Sequence, residues 1–246
     1  MLRHRLVAHR GYQQHFPENT LRAMRAAVAA GALYVETDIQ FSRDLKPLLY
    51  HDSLLMRVSG RDGRIDDLDE AELLGIPAHE PFRFGDTFAD ETIAPLSALV
   101  DFLRATPELT VFIEIKEEAI AHAGIAKAYE ILTSYLTPIA SQVVLISFDV
   151  PFIAHARAQG FAQLGIVLKS WAQIDSEETL AIAPQYLFIN VKRIPANENL
   201  GRIESLLVVY EIAEPEAAIA LFNRGADMVE TFDIGGMITG LSSHTL

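Results

Sequence analysis

The chain has no cysteine, a single tryptophan and a shortage of basic residues, 20 Lys and Arg against 33 Asp and Glu. Each shortage excludes something. Without cysteine there is no disulfide and no thiolate metal site, which is compatible with a reducing compartment. A formal net charge of −13 argues against a nucleic-acid partner, which needs a basic face. It does not exclude a small phosphorylated substrate, because a few local cations outweigh a distant acidic surface. No apolar run approaches the roughly 20 residues that span a bilayer, so no stable membrane insertion is expected. The first strand is expected from near Arg5, leaving no room for a signal peptide, and cytoplasmic residence is the default expectation. There is no Gly-rich phosphate turn after that strand, where an open dinucleotide-binding sheet carries one; His9-Arg10-Gly11 stands there instead. Internal repeats and low-complexity tracts are also missing. Oligomeric state is left open.

What is present is a regular alternation of short apolar runs and amphipathic stretches over 246 residues, half of them hydrophobic. Eight runs read as strands, beginning near Arg5, Tyr34, Val111, Val143, Leu164, Tyr186, Leu206 and Met228. Helical spacing separates several of them. Leu21, Met24 and Val28 recur at i, i+3 and i+7, with Asn19 or Thr20 able to cap the N-terminus and Gly31 to stop the helix. Further helices are predicted at Leu96 to Leu103, Ala119 to Tyr135, Pro151 to Gln159 and Pro215 to Arg224. Eight βα units in about 250 residues predict an α/β fold, a TIM (β/α)8 barrel in one domain over 1–246. Pro47 to Tyr50 follows the second strand too closely for a parallel crossover and is read as a hairpin outside the barrel. From Asp52 to Glu91, scattered Gly and Pro predict an insertion after the second strand, with one short helix near Asp69 to Leu74.

The chemistry sits where strands end. Glu36 and Asp38, two apart, share one face of their strand. Glu114 closes another strand, with Lys116 on its face; burying either charge unpaired would cost several kcal/mol. Three carboxylates from two strands make an oxygen-rich site for one divalent cation, Mg²⁺ or Ca²⁺. His9 and His51 each follow an apolar run. One histidine in such a place is more often a hydrogen-bonded core residue, but two beside a carboxylate cluster point to proton transfer. The remaining histidines (His4, His15, His79, His122, His155, His244) are read as solvated.

His9-Arg10-Gly11, Pro17-Glu18-Asn19-Thr20, Glu36-x-Asp38, His51-Asp52, Glu114-Ile115-Lys116 and Ser147-Phe148 occur in order. Together they resemble the glycerophosphodiester phosphodiesterase family. The resemblance spans nearly the whole chain and implies a TIM barrel with a small insertion after the second strand. It also implies hydrolysis of glycerophosphodiesters to glycerol phosphate and an alcohol with a divalent cation. Carried over by residue, it assigns Glu36, Asp38 and Glu114 to the metal, His9 and His51 to catalysis, and Arg10 and Lys116 to the substrate phosphate. It favours His9 as base and His51 as acid, which residue types alone do not distinguish. Asn19 is placed to cap the first helix and Glu18 to orient the strand-end loop. Two departures bear on the leaving group. Tyr210-Glu211-Ile212-Ala213 stands where the family often has Trp-Thr-Val-Asn, and Thr231-Phe232-Asp233-Ile234 replaces Thr-Asp-x-Pro.

The charges of such a site cancel. Three carboxylates offset one divalent cation together with Arg10, Lys116 and a monoanionic diester. Two alternatives are a phospholipase D-like or C-like lipid phosphodiesterase forming a cyclic phosphate, and a non-catalytic metal-binding barrel. Phe82, Arg83, Phe84 and Phe88 in the insertion are the residues that a lipid substrate would use. Trp171 is read as a packing residue of a loop or helix.

Overall fold

The structure, a computed structural model, describes residues 2–243. Ten strands follow in chain order: β1 Leu6–Ala8, β2 Tyr34–Phe41, β3 Pro47–Leu49, β4 Ala94–Pro95, β5 Thr110–Ile115, β6 Val143–Ser147, β7 Leu164–Leu168, β8 Tyr186–Asn190, β9 Leu206–Tyr210 and β10 Met228–Thr231. Eight of them are parallel neighbours in the order β1-β10-β9-β8-β7-β6-β5-β2, and pairing of β1 with β2 closes the barrel. The eight predicted strands are these eight. β3 pairs antiparallel with β2, and β4 with β3, so the predicted hairpin does lie outside the closed ring.

Alternation along each strand divides the core in two. Val35, Ile39, Val111, Ile113 and Ile115 face the helices in the outer core. Val7, Phe112, Val144, Ile146, Val167, Tyr186, Phe188, Val208 and Met228 fill the barrel. Phe112 is the hub of that filling. Its ring lies 4.9 Å from Phe188, 5.0 Å from Tyr186 and 6.0 Å from Tyr34, edge-on to the first two and stacked on the third. A plugged interior sends polar residues of the same strand faces to the ends.

Outside run the helices Leu21–Ala29, Leu96–Arg104, Val150–Ala158 and Pro215–Asn223, near their predicted bounds. Asp149 caps the third by accepting from Phe152 N at 2.8 Å. The helix predicted over Ala119 to Tyr135 is two, Glu117–Ala123 and Ile125–Leu136, because Gly124 between them has φ +80°. Helices Glu177–Ile182 and Ile234–Ser242 were not anticipated. Between β8 and β9 there are only the single turns Val191–Arg193 and Leu200–Arg202. The insertion shares a second small core with the hairpin, built from Leu48, Tyr50, Leu55, Val58, Ile65, Leu73 and Ile93. Its predicted helix is Glu70–Leu73, opened by Asp69, whose N–H donates to Glu72 Oε2 at 2.9 Å. No helix among the described residues is long and apolar enough to cross a membrane.

Truncating Phe112 leaves a void under the functional end of the barrel. Phe112→Ala is expected to cost about 3–5 kcal/mol of stability, read as a lower denaturant midpoint at unchanged slope. A cost below about 1 kcal/mol would show that the interior collapses onto the gap.

Candidate active site

The first motif is a backbone device. After β1, His9 donates its N–H to Thr231 O at 3.0 Å. Arg10 and Gly11 then adopt φ +54° and +81°. A Cβ on Gly11 would stand 2.7 Å from the backbone carbon of Ala23, so the turn seats against the first helix only with glycine. That turn aims the Arg10 N–H at Glu36 Oε2, 3.1 Å away. Arg10 Nη1 donates to Glu18 Oε1 at 3.0 Å, and its Nε lies 3.0 Å from Asp38 Oδ2, close enough for an ion pair although its N–H is not aligned.

Thr20, not Asn19, caps the helix, accepting from Ala23 N at 3.1 Å. Asn19 has another task. It holds φ +55°, donates Nδ2 to Asp38 Oδ2 at 2.9 Å, and accepts from Asp38 N and Thr37 Oγ1 at 3.0 and 2.8 Å. The expected cap is thus a clamp on the end of β2. Glu18 orients the loop as expected, taking both Arg10 and Arg57.

Asp38 and Glu114 are register partners on β2 and β5, two carboxylates side by side. Lys116 Nζ joins them, 2.6 Å from Glu114 Oε1 and 3.4 Å from Asp38 Oδ1. Glu36, Asp38 and Glu114 each bring one carboxylate oxygen within 4.8 Å of the other two, and all three are buried. Glu36 Oε1 has no hydrogen-bond partner. An all-oxygen donor set with one buried oxygen unpartnered among the described residues fits a hard divalent cation.

His51 follows β3 at the same end of the barrel. Its carbonyl accepts from Gln40 Nε2 at 2.9 Å. Its Nδ1 donates to Asp52 Oδ1 at 2.6 Å, and Arg57 donates to both oxygens of Asp52 at 2.8 Å each. Arg57 also makes two 2.8 Å bonds to Glu18. A cleft of about 370 Å³ lies here, lined by His51, Asp52, Leu54, Lys116 and Phe148 among others. Trp171 is not among the residues that line it and packs on the outer core, with Arg202 over its ring.

Electrostatics separate the carboxyls. Burial would raise Asp38, but Arg10 and Lys116 outweigh it and hold the acid well below the usual carboxylate range. Glu36 is driven well up, first by burial and then by Asp38 and Glu230. Glu114 is raised by burial, partly offset by Lys116. Lys116 is raised against its burial by Asp38 and Glu114. His9 is pushed well down by burial and then by Arg10, so it is a neutral imidazole at neutral pH.

One carboxylate of this region went unread in the sequence. Glu230 lies two residues after Met228 on β10, on the strand face that fills the barrel, and is 3% exposed. Its oxygen falls within 4.8 Å of ligand atoms of His9 and Glu36. A charged residue in phase with an interior methionine was the available signal. Of the histidines set aside, His4, His15 and His122 are exposed, whereas His79 and His155 are half-buried; His244 lies outside the described residues.

Asn19→Ala leaves the Asp38 N–H and the Thr37 hydroxyl without their partner in a buried place and takes one hydrogen bond from Asp38 Oδ2. The expected cost is about 2–4 kcal/mol, from orphaned groups at roughly 1–3 kcal/mol each. Thermal unfolding checks it, and an unchanged midpoint would show that Asn19 does not hold β2.

The model of the glycerophosphoryl diester phosphodiesterase family matches residues 9–183. Glycerophosphodiester phosphodiesterase 1 of Mus musculus is 37% identical over 123 residues, half of this chain and 35% of that protein. The chain therefore spans about a third of the length of such mammalian relatives. The glycerophosphodiester phosphodiesterase of Caldanaerobacter subterraneus subsp. tengcongensis is 28% identical over 192 residues, covering 75% of this chain and 76% of the relative. Among solved structures, an Oleispira antarctica phosphodiesterase in complex with the product sn-glycerol-3-phosphate superposes with a TM-score of 0.84 at 21% identity, over 97% of this chain and 96% of that one. That likeness confirms the fold, and the family match covers every motif residue from His9 to Lys116. The chain belongs to the glycerophosphoryl diester phosphodiesterase family.

Proposed function

We propose that the protein hydrolyses glycerophosphodiesters to glycerol phosphate and an alcohol, with one divalent cation, Mg²⁺ or Ca²⁺. The observation that carries this reading is convergence. Three carboxylates from β2 and β5, two basic side chains and two histidines meet at one end of the barrel. The phosphodiesterase names of the relatives, and the product held by the Oleispira antarctica structure, support the substrate class.

Glu36, Asp38 and Glu114 would hold the cation. When bound, it supplies positive charge opposite the negative charge that develops on the phosphate oxygens. Arg10 and Lys116 hold the phosphate and keep Asp38 ionised. His9, neutral and enclosed, accepts the proton of the attacking hydroxyl, from water or from the substrate's own glycerol. His51 protonates the departing alkoxide. Asp52 fits it for that role by accepting from Nδ1, which fixes the ring and leaves Nε2 for the transfer. Turnover of glycerophosphocholine with Mg²⁺ or Ca²⁺, read as glycerol phosphate released, tests the reading. Binding of the cation without turnover would leave a non-catalytic barrel.

A second reading has one observation behind it. Phe82 is 75% exposed, and Leu54 and Met56 of the same insertion are also exposed. Such a rim suits a lipid diester. A cyclic phosphate in the phosphorus NMR spectrum of the products would favour that reading over simple hydrolysis.

Three outcomes are expected. His51→Ala loses roughly 10²–10⁴-fold in turnover while keeping cation affinity, and a p-nitrophenyl ester recovers part of the loss because that leaving oxygen needs no proton. Equal defects on good and poor leaving groups would take His51 out of the acid role. Glu114→Ala instead loses cation affinity, with activity returning in part at high cation concentration. Protons compete with the cation for Glu36 and Glu114, whose acidities burial has weakened. Affinity should therefore fall on acidification, with proton release on binding; equal calorimetric affinity at about pH 5 and about pH 8 contradicts a carboxylate site.

A further inference from the structure

Glu230 has no part in the reaction above, yet it is enclosed beside the reacting groups. Its Oε1 finds no hydrogen-bond partner, and the same is true of His9 Nδ1 and Glu36 Oε1. These residues come from the turn after β1, from β2 and from β10, so the coincidence is not a property of one loop. His9 is 7% exposed, Glu36 2% and Glu230 3%. Each offers one ligand atom within 4.8 Å of the other two. Buried polar atoms are normally satisfied, and one such orphan on each of three residues whose ligand atoms cluster marks a missing partner.

The partner's chemistry follows from the donors. Glu36 accepts only the Arg10 backbone N–H on its other oxygen, and His9 Nε2 stands 3.7 Å from it, beyond hydrogen-bond reach. Neither Glu36 nor Glu230 is hydrogen-bonded to a basic side chain among the described residues, so the pair has no bonded positive charge, and Arg10 acts on both only through space. A water could bridge the orphans but would not supply that charge. The charge balance drawn from the sequence counted three carboxylates, and Glu230 is a fourth. An imidazole with two carboxylates is the donor set of a borderline cation such as Zn²⁺. It differs in kind from the all-oxygen set of Glu36, Asp38 and Glu114.

We propose that His9, Glu36 and Glu230 form a second cation site, selective for Zn²⁺, adjoining the all-oxygen site and sharing Glu36 with it. Zinc there engages a ring nitrogen of His9. If the phosphodiesterase reading holds, that takes His9 out of proton transfer and makes Zn²⁺ an inhibitor that excess Mg²⁺ does not relieve. The binding claim itself does not rest on that reading.

The test is equilibrium dialysis of the full chain against Zn²⁺ with Mg²⁺ in excess, counting bound zinc by mass spectrometry. One zinc per chain is expected to remain. Glu230→Gln should lower its affinity at least roughly tenfold, whereas Glu114→Gln should keep it. In the unaltered protein, histidine-ring NMR should show Zn²⁺ shifting the His9 nitrogens, a readout that needs no variant to fold. Zinc that does not survive excess Mg²⁺, or that Glu230→Gln holds as tightly, overturns the proposal. So does zinc that Glu114→Gln loses and Glu230→Gln keeps, or an unmoved His9 ring; in that case a water fills the gap. Glycerol phosphate release in Mg²⁺ without zinc is measured separately, so failure of the reaction and failure of this site are distinct results.

Discussion

The ionised carboxylate of Asp38 is the interaction on which the functional end depends. It is buried, 1% exposed, where an unpaired charge is costly. Three donors meet it from three separate segments: Arg10 after β1, Asn19 before the first helix and Lys116 after β5. Satisfying Asp38 therefore fixes the positions of those segments relative to one another. Breaking a buried pair of this kind costs about 3–5 kcal/mol, because the remaining charge is stranded. Glu36, two residues earlier on the same face, has only a backbone N–H in hydrogen-bond reach. Neighbouring carboxyls on one strand thus differ in kind. One is locked as an anion by protein cations, and the other has no basic side chain hydrogen-bonded to it among the described residues.

The insertion is tied into the same network. From His51 the contacts run through Asp52, Arg57 and Glu18 to Arg10, the last four alternating in sign. Arg57 makes paired bonds at both of its contacts, a geometry that restricts rotation as well as adding attraction. Glu80, farther along the insertion, accepts from the Glu18 N–H at 2.8 Å and from Arg83. His51 stands outside the closed ring, and this chain of ions is what orients it over the barrel mouth.

Much of this was legible because barrel strands are buried on both sides and read as unbroken apolar runs. Glu36, Asp38 and Glu114 stood out as charges interrupting such runs. Glu230 interrupts one too, but β10 is only four residues long and carries no second charge on that face to mark it. Helix Ile234–Ser242 escaped notice because Gly235, Gly236 and Gly240 weaken its propensity. Its formation rests on tertiary packing and on Asp233, which accepts from Gly236 N. Helix Glu177–Ile182 is too short to show a period. Asn19 was misread because Asn and Thr are both good caps. Only the positive φ at Asn19, which sequence does not display, turns its side chain toward β2.

The two histidines are not interchangeable, and their surroundings say why. His9 lies against Phe232, ring centres 5.0 Å apart, with neither nitrogen hydrogen-bonded to a carboxylate. Burial and Arg10 disfavour its charged form, which suits a group that begins the proposed reaction neutral and accepts a proton once negative charge gathers nearby. His51 is about a third exposed and bonded to Asp52, itself held well below the carboxylate range by the His51 and Arg57 hydrogen bonds despite burial. Asp52, gripped in turn by Arg57, holds the His51 ring from its Nδ1 side. The proposed base and acid roles rest on that difference: one histidine is enclosed without a hydrogen bond to a carboxylate, and the other is bonded to an anion of its own.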